Sequence, residues 1–189
     1  MKPFICSAAA LGNHTRNDMS ILRRVMNLRP SEPSQEVLSV DVIEENKSRV
    51  FFIADADIDA DGPGGSIHDD PDWQPETSLK HNGQSIDSRK VRGIVVPIGI
   101  IKGVKGTVLG CKARVTRNST GVSADAVVYD IGPSRKLGEI SIAAAEAIGI
   151  DPSPTHGGED SYDAVTYELW PSVPAVVDGV QYDLQPWNG

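Results

Sequence analysis

Two groups of carboxylates in this chain have the types and spacing that chemistry requires. The first is Ala54-Asp55-Ala56-Asp57-Ile58-Asp59-Ala60-Asp61-Gly62, in which four aspartates alternate with small or apolar residues. Such a row either binds a cation or carries its charges on one face. As a calcium loop, Asp57, Asp59, Asp61 and Gly62 would fill positions one, three, five and six of an EF-hand, but the twelfth position, which needs a bidentate Glu, is His68. The flanks also oppose that reading, since Val50-Phe51-Phe52-Ile53 has the texture of a strand and Pro63-Gly64-Gly65 cannot open a helix. If the strand continues through the run, period-two alternation turns Asp55, Asp57, Asp59 and Asp61 to one side. That side is either an anionic strip for a cationic ligand or a solvated edge that discourages aggregation.

The second group lies in Val127-Val128-Tyr129-Asp130-Ile131-Gly132-Pro133-Ser134-Arg135-Lys136-Leu137-Gly138-Glu139. Here a strand ends in Asp130, a Gly-Pro turn redirects the chain, and Glu139 opens the segment Glu139 to Ile148, closed by Gly149, which reads as the clearest helix. Two carboxylates on rigid supports either side of one loop suit glycosidic hydrolysis, in which one protonates the leaving oxygen and the other activates water. Ordinary chemistry also accounts for each singly, because acids favour the first turn of a helix and Asp favours turns. The histidines His14, His68, His81 and His156 show no metal-ligand spacing, and neither a metal nor a cofactor is expected.

The elements that must hold these groups are mostly short strands. Segments 37–43, 50–53, 94–98, 106–110, 113–115, 124–129 and 165–170 read as strands punctuated by Gly and Asn turns. One inserted helix in such a chain suggests a closed barrel rather than βαβ units. Upstream, residues 15–29 are predicted to form an amphipathic helix, capped by Asn17 or Asp18, with Ile21, Leu22, Val25 and Met26 on one side. Pro30-Ser31-Glu32-Pro33-Ser34 then reads as a linker. Residues 1–36 are therefore expected to be an N-terminal segment and residues 37–189 a single catalytic β-barrel domain.

Composition narrows the partners. The 189 residues carry a net charge of −8, and residues 1–30 hold Lys2, Arg16, Arg23, Arg24 and Arg29 against Asp18, which leaves 13 basic and 25 acidic side chains in the remainder. An acidic body repels nucleic acid and anionic membranes and draws cationic ligands. No apolar run approaches the roughly 20 residues of a membrane span. Cys6 and Cys111 are too few for a disulfide framework. The apolar opening, Met1 to Leu11, is short and interrupted by Pro3, Cys6 and Ser7, so it does not read as a secretory signal.

Taken together, the two carboxylate groups resemble glycoside hydrolase family 75, the chitosanases. The resemblance rests on Ala54 to Gly62, Gln74-Pro75-Glu76-Thr77-Ser78, Ile94-Val95-Val96-Pro97, Asp130-Ile131-Gly132-Pro133 and Gly138-Glu139-Ile140-Ser141. Ile148-Gly149-Ile150, Pro154-Thr155-His156-Gly157-Gly158 and Val165-Thr166-Tyr167 follow in the same order, so the likeness spans roughly residues 48 to 172. It implies a mainly β, six-stranded double-psi β-barrel with a short helix after the catalytic loop. It further implies an extracellular enzyme that cuts β-1,4 links inside chitosan with inversion. Asp130 and Glu139 fall on the family's catalytic pair. Asp55, Asp57, Asp59, Asp61, Gln74 and Thr77 are then expected to bind the cationic polysaccharide, through charge-assisted hydrogen bonds where they are carboxylates. A monomer is expected. A helix N-terminus would favour ionised Glu139 as base and leave Asp130 as acid. Action on another amino-sugar polymer such as peptidoglycan, or carbohydrate binding without turnover, are the competing readings.

Overall fold

The structure, a computed structural model, describes residues 21–30, 40–133 and 136–187. In chain order these form β1 (Leu22–Pro30), β2 (Val40–Glu45), β3 (Arg49–Ala54), β4 (Asp57–Asp59), β5 (Lys80–His81), β6 (Gln84–Ser85), β7 (Gly93–Pro97) and α1 (Ile98–Gly103). There follow β8 (Cys111–Arg117), β9 (Ser123–Gly132), β10 (Lys136–Leu137), β11 (Glu139–Ser141), α2 (Ile142–Ile148), β12 (Val165–Pro174), β13 (Val176–Val177) and β14 (Val180–Gln181). The protein is mainly β. Ten strands make one sheet in the order β10-β1-β2-β3-β12-β8-β9-β7-β11-β4, and its two end strands do not pair with each other. The described sheet is therefore open in its hydrogen bonding, unlike the closed barrel expected from the run of short strands. Among the described residues no helix is long and apolar enough to cross a membrane.

Alternation places the core. In β3, Val50, Phe52 and Ala54 are buried while Arg49, Phe51 and Ile53 are more exposed, and β12 alternates in step with it. Phe52 pairs with Tyr167 across the two strands, and their rings stack with centroids 4.8 Å apart. Such a pair contributes about 0.5–1.5 kcal/mol beyond the area it buries. On the other face Arg49 bridges Glu45 and Glu168. β7 is buried along its whole length, as its unbroken apolar sequence requires of a strand covered on both faces.

Several local readings change. Residues 22–30 form a strand, not a helix, because β1 pairs antiparallel with β2 from Leu22 opposite Glu45 to Leu28 opposite Val40. A register shift between Arg24 and Met26 spoils the period-two signature that would have shown it. Pro30 ends β1, while residues 15–20 of the expected helix and 31–36, with the rest of the linker and the boundary, fall outside the described residues. So does Cys6, while Cys111 is a buried free thiol. Residues 106–110 are a turn: Gly106 and Gly110 have φ of 86° and 82°, and Leu109 makes only an isolated bridge to Gln185. A second helix, α1, starts after Pro97, where the expected strand was to run on through Ile98.

The most consequential change is at α2. The helix starts at Ile142, and Glu139 to Ser141 belong to a strand. The fully buried Ser141 caps the helix, its Oγ accepting from Ala144 N at 3.2 Å. The same oxygen accepts from Gly93 N and donates to Val91 O, each at 2.9 Å, so it ties α2 to β7. Ser141→Ala would strip all three backbone groups of this partner. A loss of about 2–3 kcal/mol is expected from cap removal together with buried unsatisfied groups, read as a lower urea midpoint.

Candidate functional site

Strand register brings the carboxylates of the two sequence groups onto one face. Val95 on β7 pairs with Asp130 on β9, and Ile94 pairs with Ile140 on β11, which places Glu139 opposite Val95. Glu139 in turn pairs with Asp57 on β4. Paired residues share a face, so Asp130, Val95, Glu139 and Asp57 form a row across four strands. Asp130 and Glu139 are two strands apart, about 9–10 Å between their backbone columns at the usual strand spacing. The row floors a cleft of about 650 Å³ that Asp59, Asp61, Asp70, Asp72, Gln74, Glu76, Lys136 and the turn Ile131 to Pro133 also line.

A bulge in β9 sharpens this arrangement. Val128 pairs with Ile94 and Asp130 with Val95, so Tyr129 is an additional residue. Its ring lies where a side chain on Gly93 would be, since a Cβ there would meet the ring at 2.4 Å. Its hydroxyl donates to Asp59 Oδ2 at 2.5 Å. Gly132 plays a similar part for Glu139: a Cβ at Gly132 would stand 2.7 Å from Glu139 Oε2 and 2.9 Å from Val95 Cγ1. The absent side chain is the room in which the Glu139 carboxylate rests.

The two principal carboxylates differ in their surroundings. Asp130 is only 8% exposed, yet its Oδ1 accepts from Ser78 N at 3.0 Å, Ser78 Oγ at 2.5 Å and Ile131 N at 2.7 Å. Burial raises its pKa, and these hydrogen bonds with the charge of Lys80 pull the other way. Among the described residues the Glu139 carboxyl accepts no hydrogen bond. Burial lifts its pKa to about 7, opposed by Lys136 and assisted by Asp57, Asp130 and Asp61. The helix-terminus argument for an ionised Glu139 fails, because Glu139 stands in β11, ahead of the Ser141 cap.

The aspartate row divides. Asp57, Asp59 and Asp61 are part-exposed at the cleft, with Ile58 and Ala60 buried between them. Asp55 is 1% exposed and lies outside the cleft lining, against Gly138, whose Cβ would meet its Oδ1 at 2.2 Å. The strand starts only at Asp57, so the alternation does not extend back to Asp55. Thr77 is likewise buried, its Oγ1 donating to Leu79 O and accepting from Ile86 N. Gln74 lines the cleft, and its backbone N–H donates to Asp61 Oδ1 at 2.6 Å. Sequence reasoning gave no role to Tyr129, Val95, Gly132 or Lys136. Tyr129 meets Asp59, 70 positions away, and Val95 meets Asp130 across β7 and β9, which no local pattern reveals, while Gly132 and Lys136 act on Glu139 nearby in the chain through the folded turn.

Asp59, Asp61 and Asp130 each bring one oxygen within 4.8 Å of the others, the spacing at which carboxylates take a cation or share a proton. Burial and the neighbouring Asp61 raise Asp59 to about 8, and burial raises Asp61 to about 6. No model of a known protein family matches the chain, and a search of curated proteins gives no match.

The raised Glu139 pKa ties stability to pH. Its carboxyl binds a proton more tightly folded than unfolded, so stability is complete below its ordinary value of 4.5 and is lost as pH rises toward about 7. Glu139→Gln, which cannot ionise, is expected to match the parent at pH 4. At pH 8 it should exceed the parent by about 1–3 kcal/mol in urea unfolding. Equal stability at both pH values would refute the burial argument.

Proposed function

We propose that this protein is an endo-acting, inverting chitosanase in which Glu139 is the general acid and Asp130 the general base. The observation that carries the reading is the row Asp130, Val95, Glu139 across β9, β7 and β11. It holds two carboxylates on one face with a single valine between their strands. Inverting glycosidases need their carboxyls roughly 6.5–9.5 Å apart, so that water fits between base and sugar, and a two-strand separation is of that order. The resemblance of the sequence to family 75 chitosanases falls on the same pair. The family's double-psi barrel belongs to this proposal too, supported by the parallel pairs β7 with β9 and β11 with β4 within a mainly antiparallel sheet.

The roles follow from the surroundings. Glu139, with a pKa near 7, keeps its proton at mildly acidic pH and can deliver it to the glycosidic oxygen as the bond to the anomeric carbon breaks. Asp130, whose Oδ1 accepts three hydrogen bonds, is the better carboxylate to take a proton from water. That water attacks from the face opposite the leaving group and its oxygen becomes the new anomeric hydroxyl. Solvent then returns a proton to Glu139 and removes one from Asp130. Asp57 and Asp61 offer charge-assisted hydrogen bonds to the ammonium groups of glucosamine units. Asp59 faces the Tyr129 hydroxyl and holds a proton to about pH 8, so it is the weakest of the three for that task.

Reducing-end release from chitosan, chitin, carboxymethylcellulose and peptidoglycan tests the substrate, and release from peptidoglycan alone would move the assignment to another amino-sugar polymer. With chitosan, Asp130→Asn and Glu139→Gln are each expected to lower kcat by about 10²–10⁴-fold or more while circular dichroism stays unchanged. The parent's kcat/KM should fall as pH rises through about 7, as the acid loses its proton. Near-normal turnover by either variant would remove that residue from the mechanism. Early NMR spectra of the digest should show the α-anomer first, and a β-anomer would mean retention.

A further inference from the structure

Asp59, Asp61 and Asp130 each bring one oxygen within 4.8 Å of the others, so three carboxylates stand where the base must act. Their hydrogen bonds differ in number and in the oxygen that takes them. Asp59 accepts on both oxygens, from the Tyr129 hydroxyl on Oδ2 and from Asp61 N on Oδ1 at 2.8 Å. Among the described residues Asp61 accepts only from Gln74 N, at 2.6 Å. Asp130 accepts three bonds, all on Oδ1, and two of them come from the N–H and the hydroxyl of Ser78. Among the described residues its Oδ2 accepts none.

Ser78 is set in place by bonds on either side of it in the chain. Leu79 is fully buried, and its N–H donates at 2.9 Å to the carbonyl of Tyr129, the residue before Asp130. Thr77 Oγ1 donates to Leu79 O at 3.1 Å and accepts from Ile86 N at 2.8 Å. Lys80 N donates to Gln185 Oε1 at 3.1 Å. The Ser78 donors therefore meet Asp130 from a support that does not depend on the carboxylate. An oxygen that accepts three bonds has spent its lone pairs, which leaves Oδ2 as the atom that can take a proton from water. Asp59 has no oxygen free in this way, and Asp61 has one donor to set against its burial.

Resting on the chitosanase reading above, we propose that Ser78 is a positioning residue that makes Asp130, and not Asp59 or Asp61, the base, by holding Oδ1 and leaving Oδ2 to the attacking water. The hydroxyl is the foremost of the groups that oppose the effect of burial on Asp130. The other charged groups acting at this carboxylate are Asp59 and Asp61 beside it, Glu139 beyond β7, and Lys80, which Glu76 engages at 2.8 Å. None of these is changed by substitution of Ser78.

Ser78→Ala, Ser78→Cys and Ser78→Thr, compared with the parent on chitosan across acidic pH, test this. Ser78→Ala should lower kcat by about ten- to a hundred-fold, the scale of one hydrogen bond to a charged group, with KM within about two-fold. Its acid limb, where activity rises as Asp130 loses its proton, should move to higher pH, because the ionised form has lost a donor. Ser78→Thr, which keeps the hydroxyl, should restore both the rate and the limb, and Ser78→Cys, a weaker donor of similar shape, should fall between. Unchanged kcat in Ser78→Ala and Ser78→Cys overturns the proposal. So does a loss of rate that leaves the limb in place or that Ser78→Thr shares, since packing alone would produce it. Carbon-13 NMR titration of the Asp130 carboxyl, identified by its loss in Asp130→Asn, reads the same contact without turnover. Its midpoint should lie higher in Ser78→Ala than in the parent, and equal midpoints overturn the proposal. A parent that cuts no chitosan but shows the midpoint shift would instead remove the catalytic reading and uphold Ser78 as the group that keeps Asp130 ionised.

Discussion

Everything at the cleft depends on Val95 having two strand partners. As part of β7 it is bonded on one side to β9, which carries Asp130, and on the other to β11, which carries Glu139. β7 is buried throughout, so its register is held by core packing rather than by the cleft residues themselves. A one-residue slip of either neighbour would carry a carboxylate to the opposite face, into Ile94, Ile140 and the rest of the core. Carboxylate separation is therefore a by-product of sheet geometry, a dimension that surface substitutions cannot easily change.

Burial gives that geometry its chemistry. Eight acidic residues line a hollow whose floor is a covered sheet; Asp72 and Glu76 stay exposed, whereas burial at the floor takes water away from Asp59, Asp61, Asp130 and Glu139. The response is graded by local donors. Asp130 keeps three, Asp59 has the Tyr129 hydroxyl and the Asp61 N–H, and Glu139 has only the distant help of Lys136. Like carboxylates in one cleft thus acquire different proton affinities without any difference in residue type.

The carboxylates are legible in the sequence, but what faces them is not. Alternation from Asp57 to Asp61 was legible because Ile58 and Ala60 mark the buried side, whereas Asp55 lies before the strand starts and follows its own contacts. The run of alanines after Glu139 has strong helix propensity, which hid the three strand residues in front of it. Only pairing with β4 and β7, distant in the chain, holds Glu139 extended. β1 reversed in the same way: helical spacing of Leu22, Val25 and Met26 was overridden by pairing with β2. Ser78, which holds Asp130, lies 52 positions away from it in the chain. No local pattern joins two such residues.

The additional residue in β9 has a bearing on how this strand tolerates changes in length. On either side of Tyr129 the faces alternate in the same phase with respect to β7, since Val127 pairs with Gly93 and Asp130 with Val95. Loss of Tyr129 alone would leave an unbulged ladder with Asp130 still turned to the cleft, but it would also remove the buried ring that packs over Gly93, the hydroxyl that donates to Asp59 and the carbonyl that accepts from Leu79 N. Loss of one residue elsewhere in β9 must invert the faces beyond it or take up the bulge. The strand thus carries one spare residue of length with respect to β7, and that residue is adjacent to Asp130.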